Sequence, residues 1–219
     1  MATCHVVCAA PALDASTLAL QEGDLLIAAD GGYAACLRAG FEPELLLGDF
    51  DSIEGGEEGV LAESARCDRI VLPCAKDDTD TLAALREGLA RGYKSFAIHN
   101  ALGGDMGHAM ANVHCLEWLH EQGTSGILYG AGQAAILVHP EDGQLGLKEA
   151  APQIELPVKT RVSVFAFGGT ATGVQLKGLR WELEDAQLAP QDSIGVSNEV
   201  ASDDPKVAVG EGALLIILG

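Results

Sequence analysis

At 219 residues, with 48% hydrophobic and 21% charged side chains, the chain is long enough to bury a full core, as one large domain or two small ones. That balance excludes an intrinsically disordered protein. The charge is lopsided, 13 Lys and Arg against 32 Asp and Glu for a formal −19, which speaks against a broad phosphate-tracking surface for DNA or RNA.

A small cation or a metal suits such a chain, whereas an anionic substrate has to bring a cation with it. The six cysteines (Cys4, Cys8, Cys36, Cys67, Cys74 and Cys115) show no Cys-x-x-Cys spacing, so they predict reduced thiols and neither a zinc knuckle nor a redox pair. Met1-Ala-Thr-Cys-His lacks a basic leader, and no apolar run is as long as a membrane span. A cytoplasmic location with no membrane partner is expected.

In chain order, Cys4 to Ala10 is a Val-rich run and Leu25 to Ala29 a second, ending in Asp30-Gly31-Gly32. Both have the length and apolar texture of buried strands. Tyr33, Leu37 and Gly40 predict a short helix with a glycine cap. Leu45 to Leu47 is a third strand and Ile70 to Leu72 a fourth. Lys76-Asp77-Asp78-Thr79-Asp80 then leads into Leu82, Leu85 and Leu89 at helical spacing. Phe96 to Ile98 is a fifth strand, and Gly103-Gly104 precedes a helix over about 105–121. Strands alternating with helices predict an open, mostly parallel, Rossmann-like sheet with helices on both faces.

Beyond Gly123 helical periodicity stops, and short alternating runs separated by glycine and proline take over at 127–129, 135–138, 162–167, 173–176, 207–209 and 214–218. The fold class expected is therefore α/β plus all-β: an α/β domain over 1–124 and a β-sandwich over 125–219.

The carboxylates carry the chemistry. If the backbone runs extended through Gly48-Asp49-Phe50-Asp51-Ser52, Asp49 and Asp51 point the same way, and their mutual repulsion is relieved by a hard divalent cation. A polar turn accounts for the same residues. Asp30 ends the second strand; Asp77 and Asp80 open a helix, where they serve equally as caps. In an open parallel sheet, all of these lie at the carboxyl rim where ligands bind. Gly31-Gly32 and Gly103-Gly104 each precede a helix whose bare N–H groups suit a phosphate, or mark tight turns. His108 and Asn112 stand one helical turn apart. Trp181 is expected in the core.

Taken together, Asp30-Gly-Gly, Gly48-Asp-Phe-Asp-Ser52, Lys76-Asp-x-Thr-Asp80, Gly103-Gly-x-x-x-His108-x-x-x-Asn112 and Ser197-Asn198-Glu199 resemble the ordered motif set of the thiamine pyrophosphokinase family. The resemblance implies magnesium-dependent transfer of a diphosphate group from ATP to the hydroxyl of thiamine, giving thiamine diphosphate and AMP. It implies a homodimer, with thiamine between the α/β domain of one subunit and the β-sandwich of the other. Carried over, Asp49, Asp51, Asp77 and Asp80 are catalytic, and Asp49, Asp51 and Asp80 hold the metal. Asp30, Gly31, Gly32, Lys76, Thr79, Gly103, Gly104, His108 and Asn112 attend the nucleotide, while Ser197 and Asn198 line the thiamine pocket. The general base is Asp51 or Asp80.

This chain departs from the family pattern at two positions. Where the family has Arg and Asp in Gly-Gly-Arg-x-Asp-His, it has Asp105 and Gly107. Asp cannot imitate the bidentate fork that Arg offers a phosphate. The alternatives are a thiamine- or nucleotide-binding paralogue impaired in turnover, or a related phosphohydrolase or nucleotidyl enzyme acting on another substrate.

Overall fold

The computed structural model describes residues 2–9, 14, 17–50, 67–74 and 77–219. They form two compact units, Met1–Ala131 and Gly132–Gly219.

In the first unit, β1 (Thr3–Val7), β2 (Leu25–Ala29), β3 (Leu45–Gly48), β4 (Asp68–Val71), β5 (Ser95–His99) and β6 (Ser125–Gly130) run parallel in the order β4-β3-β2-β1-β5-β6. Burial explains the composition of the inner strands: every residue of β2 and β3 is buried, so each reads as an unbroken apolar run. Because β6 pairs in parallel with β5, it belongs to the α/β unit. The division therefore falls after Ala131, not after residue 124 as expected.

Among the described residues, three helices connect the strands: α1 (Gly32–Arg38), α2 (Asp80–Ala90) and α3 (Met106–Glu121). Val7 joins Tyr33, Ala35 and Cys36 of α1 in one buried cluster with Leu26, Ala28, Leu46 and Phe50. On α2, a Cβ at Gly88 would lie 2.7 Å from the Cys4 sulfur and 2.8 Å from Phe96. Cys4 and Val7 have opposite parity on β1, so α1 and α2 cover opposite faces of the sheet.

The second unit is antiparallel apart from a 3-10 turn at Pro140–Asp142 and the short helix α4 (Leu147–Ala150). Its strands are β7 (Gln133–Val138), β8 (Leu145–Gly146), β9 (Arg161–Lys177), β10 (Leu183–Leu188), β11 (Asn198–Glu199), β12 (Lys206–Ala208) and β13 (Glu211–Leu218). The runs expected as two strands at 162–167 and 173–176 are one strand, β9. Its first half pairs with β13 and β11, its second with β10 and β12. Gly168 and Gly173, at φ of 71° and 64°, let one long strand serve two sheets. Among the described residues no helix is long and apolar enough to cross a membrane.

Candidate active site

The strand order reverses between β1 and β5, and a crevice opens beyond the carboxyl ends of strands at such a point. A cavity of about 520 Å³ lies there. Cys8 and Ala9 follow β1, Asn100 and Ala101 follow β5, and all four line it. The Asn100 side chain, on a residue with φ of 57°, donates to the Cys8 carbonyl at 3.3 Å and ties the two strand ends together.

Acidic side chains reach this cavity from several elements. Asp30, at φ 45°, terminates β2; its N–H donates to the Leu47 carbonyl at 2.8 Å. The turn is close against β3, where a Cβ at Gly48 would come within 3.0 Å of the Asp30 Cα. Asp49 follows β3. The next residue, Phe50, adopts φ 60° and is 1% exposed in the core. The backbone at Phe50 is therefore not extended. Asp51 itself lies outside the described residues, as do Ser52 and Lys76.

At α2, Thr79 is the N-cap, its hydroxyl accepting from the Leu82 N–H at 3.2 Å, and Asp80 is the first helical residue. Thr79 and Asp80 line the cavity; Asp77, a bend residue ahead of the helix, does not. Its neighbour Asp78 does, and is paired with Arg86 at 3.0 Å. At α3, Gly103 and Gly104 hold φ of 84° and 69°, a left-handed pair that only glycine adopts without strain. Asp105 caps the helix, accepting from the His108 N–H at 2.9 Å. Gly103, Gly104, Asp105, His108 and Asn112 all line the cavity. Asn112 is buried, its amide donating to the Ala101 carbonyl at 2.9 Å.

Gly31 and Gly32 are not in the lining. Packing accounts for them: a Cβ on Gly32 would collide with the Val7 carbonyl, and one on Gly31 would press on Ala9 at 3.1 Å. Sequence reasoning missed Cys8, Asp78, Thr81 and Asn100. The strand-end rule that selected Asp30 points equally to Cys8 and Asn100. Cys8 is an inert member of the set, since burial pushes its thiol up to about 11 even though Thr81 hydrogen-bonds it at 3.2 Å.

Five carboxylates, Asp30, Asp49, Asp78, Asp80 and Asp105, therefore line one cavity with no Lys or Arg among the described lining residues. No three His, Cys, Asp or Glu side chains among the described residues converge tightly enough to hold an ion by themselves. A donor set of carboxylate oxygens does fit a hard divalent cation whose remaining ligands come from phosphate and water.

In the second unit, Asn198 is 1% exposed and wholly occupied with backbone. Its Oδ1 accepts from the N–H of Trp181 at 3.0 Å and of Glu199 at 2.9 Å, and its Nδ2 donates to the Trp181 carbonyl at 2.7 Å. Trp181, expected in the core, is 51% exposed with the Arg180 guanidinium 4.7 Å from its ring. Ser197 is exposed at φ 57°.

The thiamin pyrophosphokinase catalytic-domain model matches residues 17–128, more than half of the chain, and the model of that enzyme's vitamin B1 binding domain matches residues 152–214. The chain belongs to the thiamin pyrophosphokinase family. Among solved structures, thiamine pyrophosphokinase from Bacillus subtilis shares the fold at TM-score 0.85 and 23% identity, over 99% of this chain and 98% of that one. Thiamin pyrophosphokinase from Geobacillus thermodenitrificans gives 0.80 at 22%, covering 99% and 97%. That from Candida albicans gives 0.73 at 14%, covering 99% and 88%. No curated protein sequence matches significantly. The expected α/β-plus-β-sandwich architecture is the one observed, and every described lining residue of the cavity except Cys8 and Ala9 falls within the catalytic-domain match.

Proposed function

We propose that this enzyme transfers a diphosphate group from ATP to the hydroxyl of thiamine, releasing AMP, with magnesium as the metal and a homodimer as the working form. The convergence of Asp49 and Asp80 on the cavity at the β1/β5 reversal, inside the catalytic-domain match, carries this reading.

Asp49 and Asp80, with Asp51, are the proposed metal ligands, and Asp30 lies beside them. Bound magnesium would neutralise charge on the phosphate oxygens as the bond to the β-phosphorus changes hands. The chain's own part is positioning. Thr79 fixes the start of α2 so that Asp80 meets the cavity, and Gly103-Gly104 keep the backbone bare where a nucleotide passes. His108 offers a ring nitrogen to a phosphate. Asp80 or Asp51 is the proposed acceptor of the hydroxyl proton, and Lys76 and Asp77 keep their expected roles as proposals.

Thiamine is proposed to meet the second unit at Ser197 and at the exposed face of Trp181. An indole there suits a planar thiazolium cation, and Asn198 contributes by fixing the Trp181 backbone.

An assay of AMP release tests the reading. AMP and thiamine diphosphate should appear in equal amounts, only with ATP, thiamine and magnesium all present. ATP cleavage that ignores thiamine, or thiamine binding with no turnover at high magnesium, would overturn it.

A further inference from the structure

We infer that Asp105 raises by about one the number of divalent cations linked to nucleotide binding, so that ATP affinity depends more steeply on magnesium. The inference rests on the kinase reading above and goes beyond it.

The N–H groups in the first turn of a helix are what a phosphate ordinarily meets at such an end. In α3 the third of them, on His108, is taken by the chain's own Asp105 carboxylate at 2.9 Å. Asp105 also lines the cavity, so the charge it brings to the helix end faces the ligand space. Gly107 eases this arrangement. A Cβ there would lie 3.0 Å from the Asp105 Oδ1, closer than side chains normally approach, so a bare position leaves the carboxylate room to fold back. The two departures from the family motif, Asp105 and Gly107, thus form one local structure.

No compensating cation stands nearby among the described residues. The lining holds Asp30, Asp49, Asp78 and Asp80 as well, and Arg86 is engaged with Asp78 and lies 5.3 Å from the Trp118 ring. A triphosphate entering here meets like charge from these carboxylates, which divalent cations offset alongside the Lys76 proposed above. Asp105 adds one negative charge without adding a phosphate donor. A unit charge held roughly 10 Å from a phosphate across a partly wet cleft changes binding by about five- to tenfold.

The test separates the charge of Asp105 from its capping role. Asn and Ser cap helices about as well as Asp, so Asp105→Asn and Asp105→Ser remove the charge and keep the cap. Calorimetric binding of a non-hydrolysable ATP analogue is measured across free magnesium concentrations, with thermal unfolding alongside. For both variants the expected result is an affinity about five- to tenfold higher at low magnesium, converging on the wild type at saturation. The slope of log affinity against log magnesium should fall by about one. A wild-type chain that binds the analogue while both cap-preserving variants show the same affinity and slope overturns this inference alone. A wild type that binds no analogue at any magnesium concentration overturns the kinase reading and this inference with it.

Discussion

The parallel sheet of the first unit handles polar side chains in two ways. At its carboxyl rim, Asp30, Asp49 and Asp80 face a cavity of about 520 Å³. In its body, His5 of β1 and His99 of β5 are buried on neighbouring strands and hydrogen-bonded in series. His5 Nδ1 lies 3.0 Å from His99 Nε2, His5 Nε2 lies 3.3 Å from the Asp24 carboxylate, and His99 Nδ1 lies 3.1 Å from the Thr17 hydroxyl. The imidazoles stack, and His99 stacks in turn on Tyr129 with centroids 5.4 Å apart. Interior polarity is thus spent on the protein itself, while rim polarity is turned outward. A polar residue in this fold is assigned to chemistry by where its strand ends, not by its type.

Removing a rim carboxylate should have the largest functional effect and the smallest structural one. Asp80→Asn keeps the size and the first-turn position of the side chain but loses the charge. Turnover is expected to fall by roughly a hundred- to a thousandfold, with the unfolding temperature nearly unchanged. Steady-state AMP release and a thermal melt measure both. Activity near the wild-type level would break the distinction between rim and interior.

That distinction was partly legible in the sequence. Asp30 and Asp49 are recoverable because unbroken apolar runs mark buried parallel strands whose ends stand at the rim, and Asp80 because the helical spacing of Leu82, Leu85 and Leu89 marks the start of α2. Strand periodicity stops one step after Asp49, at Phe50. Its aromatic ring gains more from burial in the core than the backbone loses by adopting φ 60°, and hydrophobic pattern alone does not report a backbone sign. Asp78 rather than Asp77 reaches the cavity because Thr79 caps α2 and sets its start, a one-residue choice that spacing does not resolve. In the second unit, the glycines at 168 and 173 read as strand ends, yet they are bends within the continuous β9. Trp181 was assigned to the core on side-chain type, whereas Asn198 fixes its backbone at the surface.

The interior should reveal itself in acid. Burial, with His5 close by, lowers the His99 pKa from 6.5 to about 3, and burial also lowers His5 despite the opposing Asp24 charge. Above pH 6.5 neither the folded nor the unfolded chain protonates His99, and its full stability is present. Below 6.5 the unfolded chain takes up a proton that the folded chain refuses. Stability then falls, by about 1.4 kcal/mol per pH unit for this one group, down to about pH 3. Urea unfolding at intervals from pH 7 to pH 4 should show this slope. His99→Gln, which cannot titrate, should flatten it by about one proton. An unchanged slope in that variant would mean the imidazole pair is protonated in the folded protein and is not the buried neutral pair described.

Asn198 is the residue on which the distinction is hardest to draw, because it belongs to a family motif expected at thiamine and yet behaves like His99. Its three hydrogen bonds all go to backbone, two of them to Trp181. Asn198→Ala would leave the Trp181 N–H and carbonyl without their partner, at a cost of about 1–3 kcal/mol. Asn198→Asp is the sharper variant, since it keeps the acceptor for both N–H groups but sets a buried carboxylate oxygen against the Trp181 carbonyl, where Asn198 Nδ2 now donates at 2.7 Å. If Asn198 acts through Trp181, the loss of stability and the rise in KM for thiamine should both be larger in Asn198→Asp than in Asn198→Ala and should move together. Trp181→Ala should then raise KM with little change in stability, because its ring is half exposed. A direct contact with the positively charged thiazolium would separate the two measurements, since an added carboxylate at Asn198 would lower KM while stability still fell.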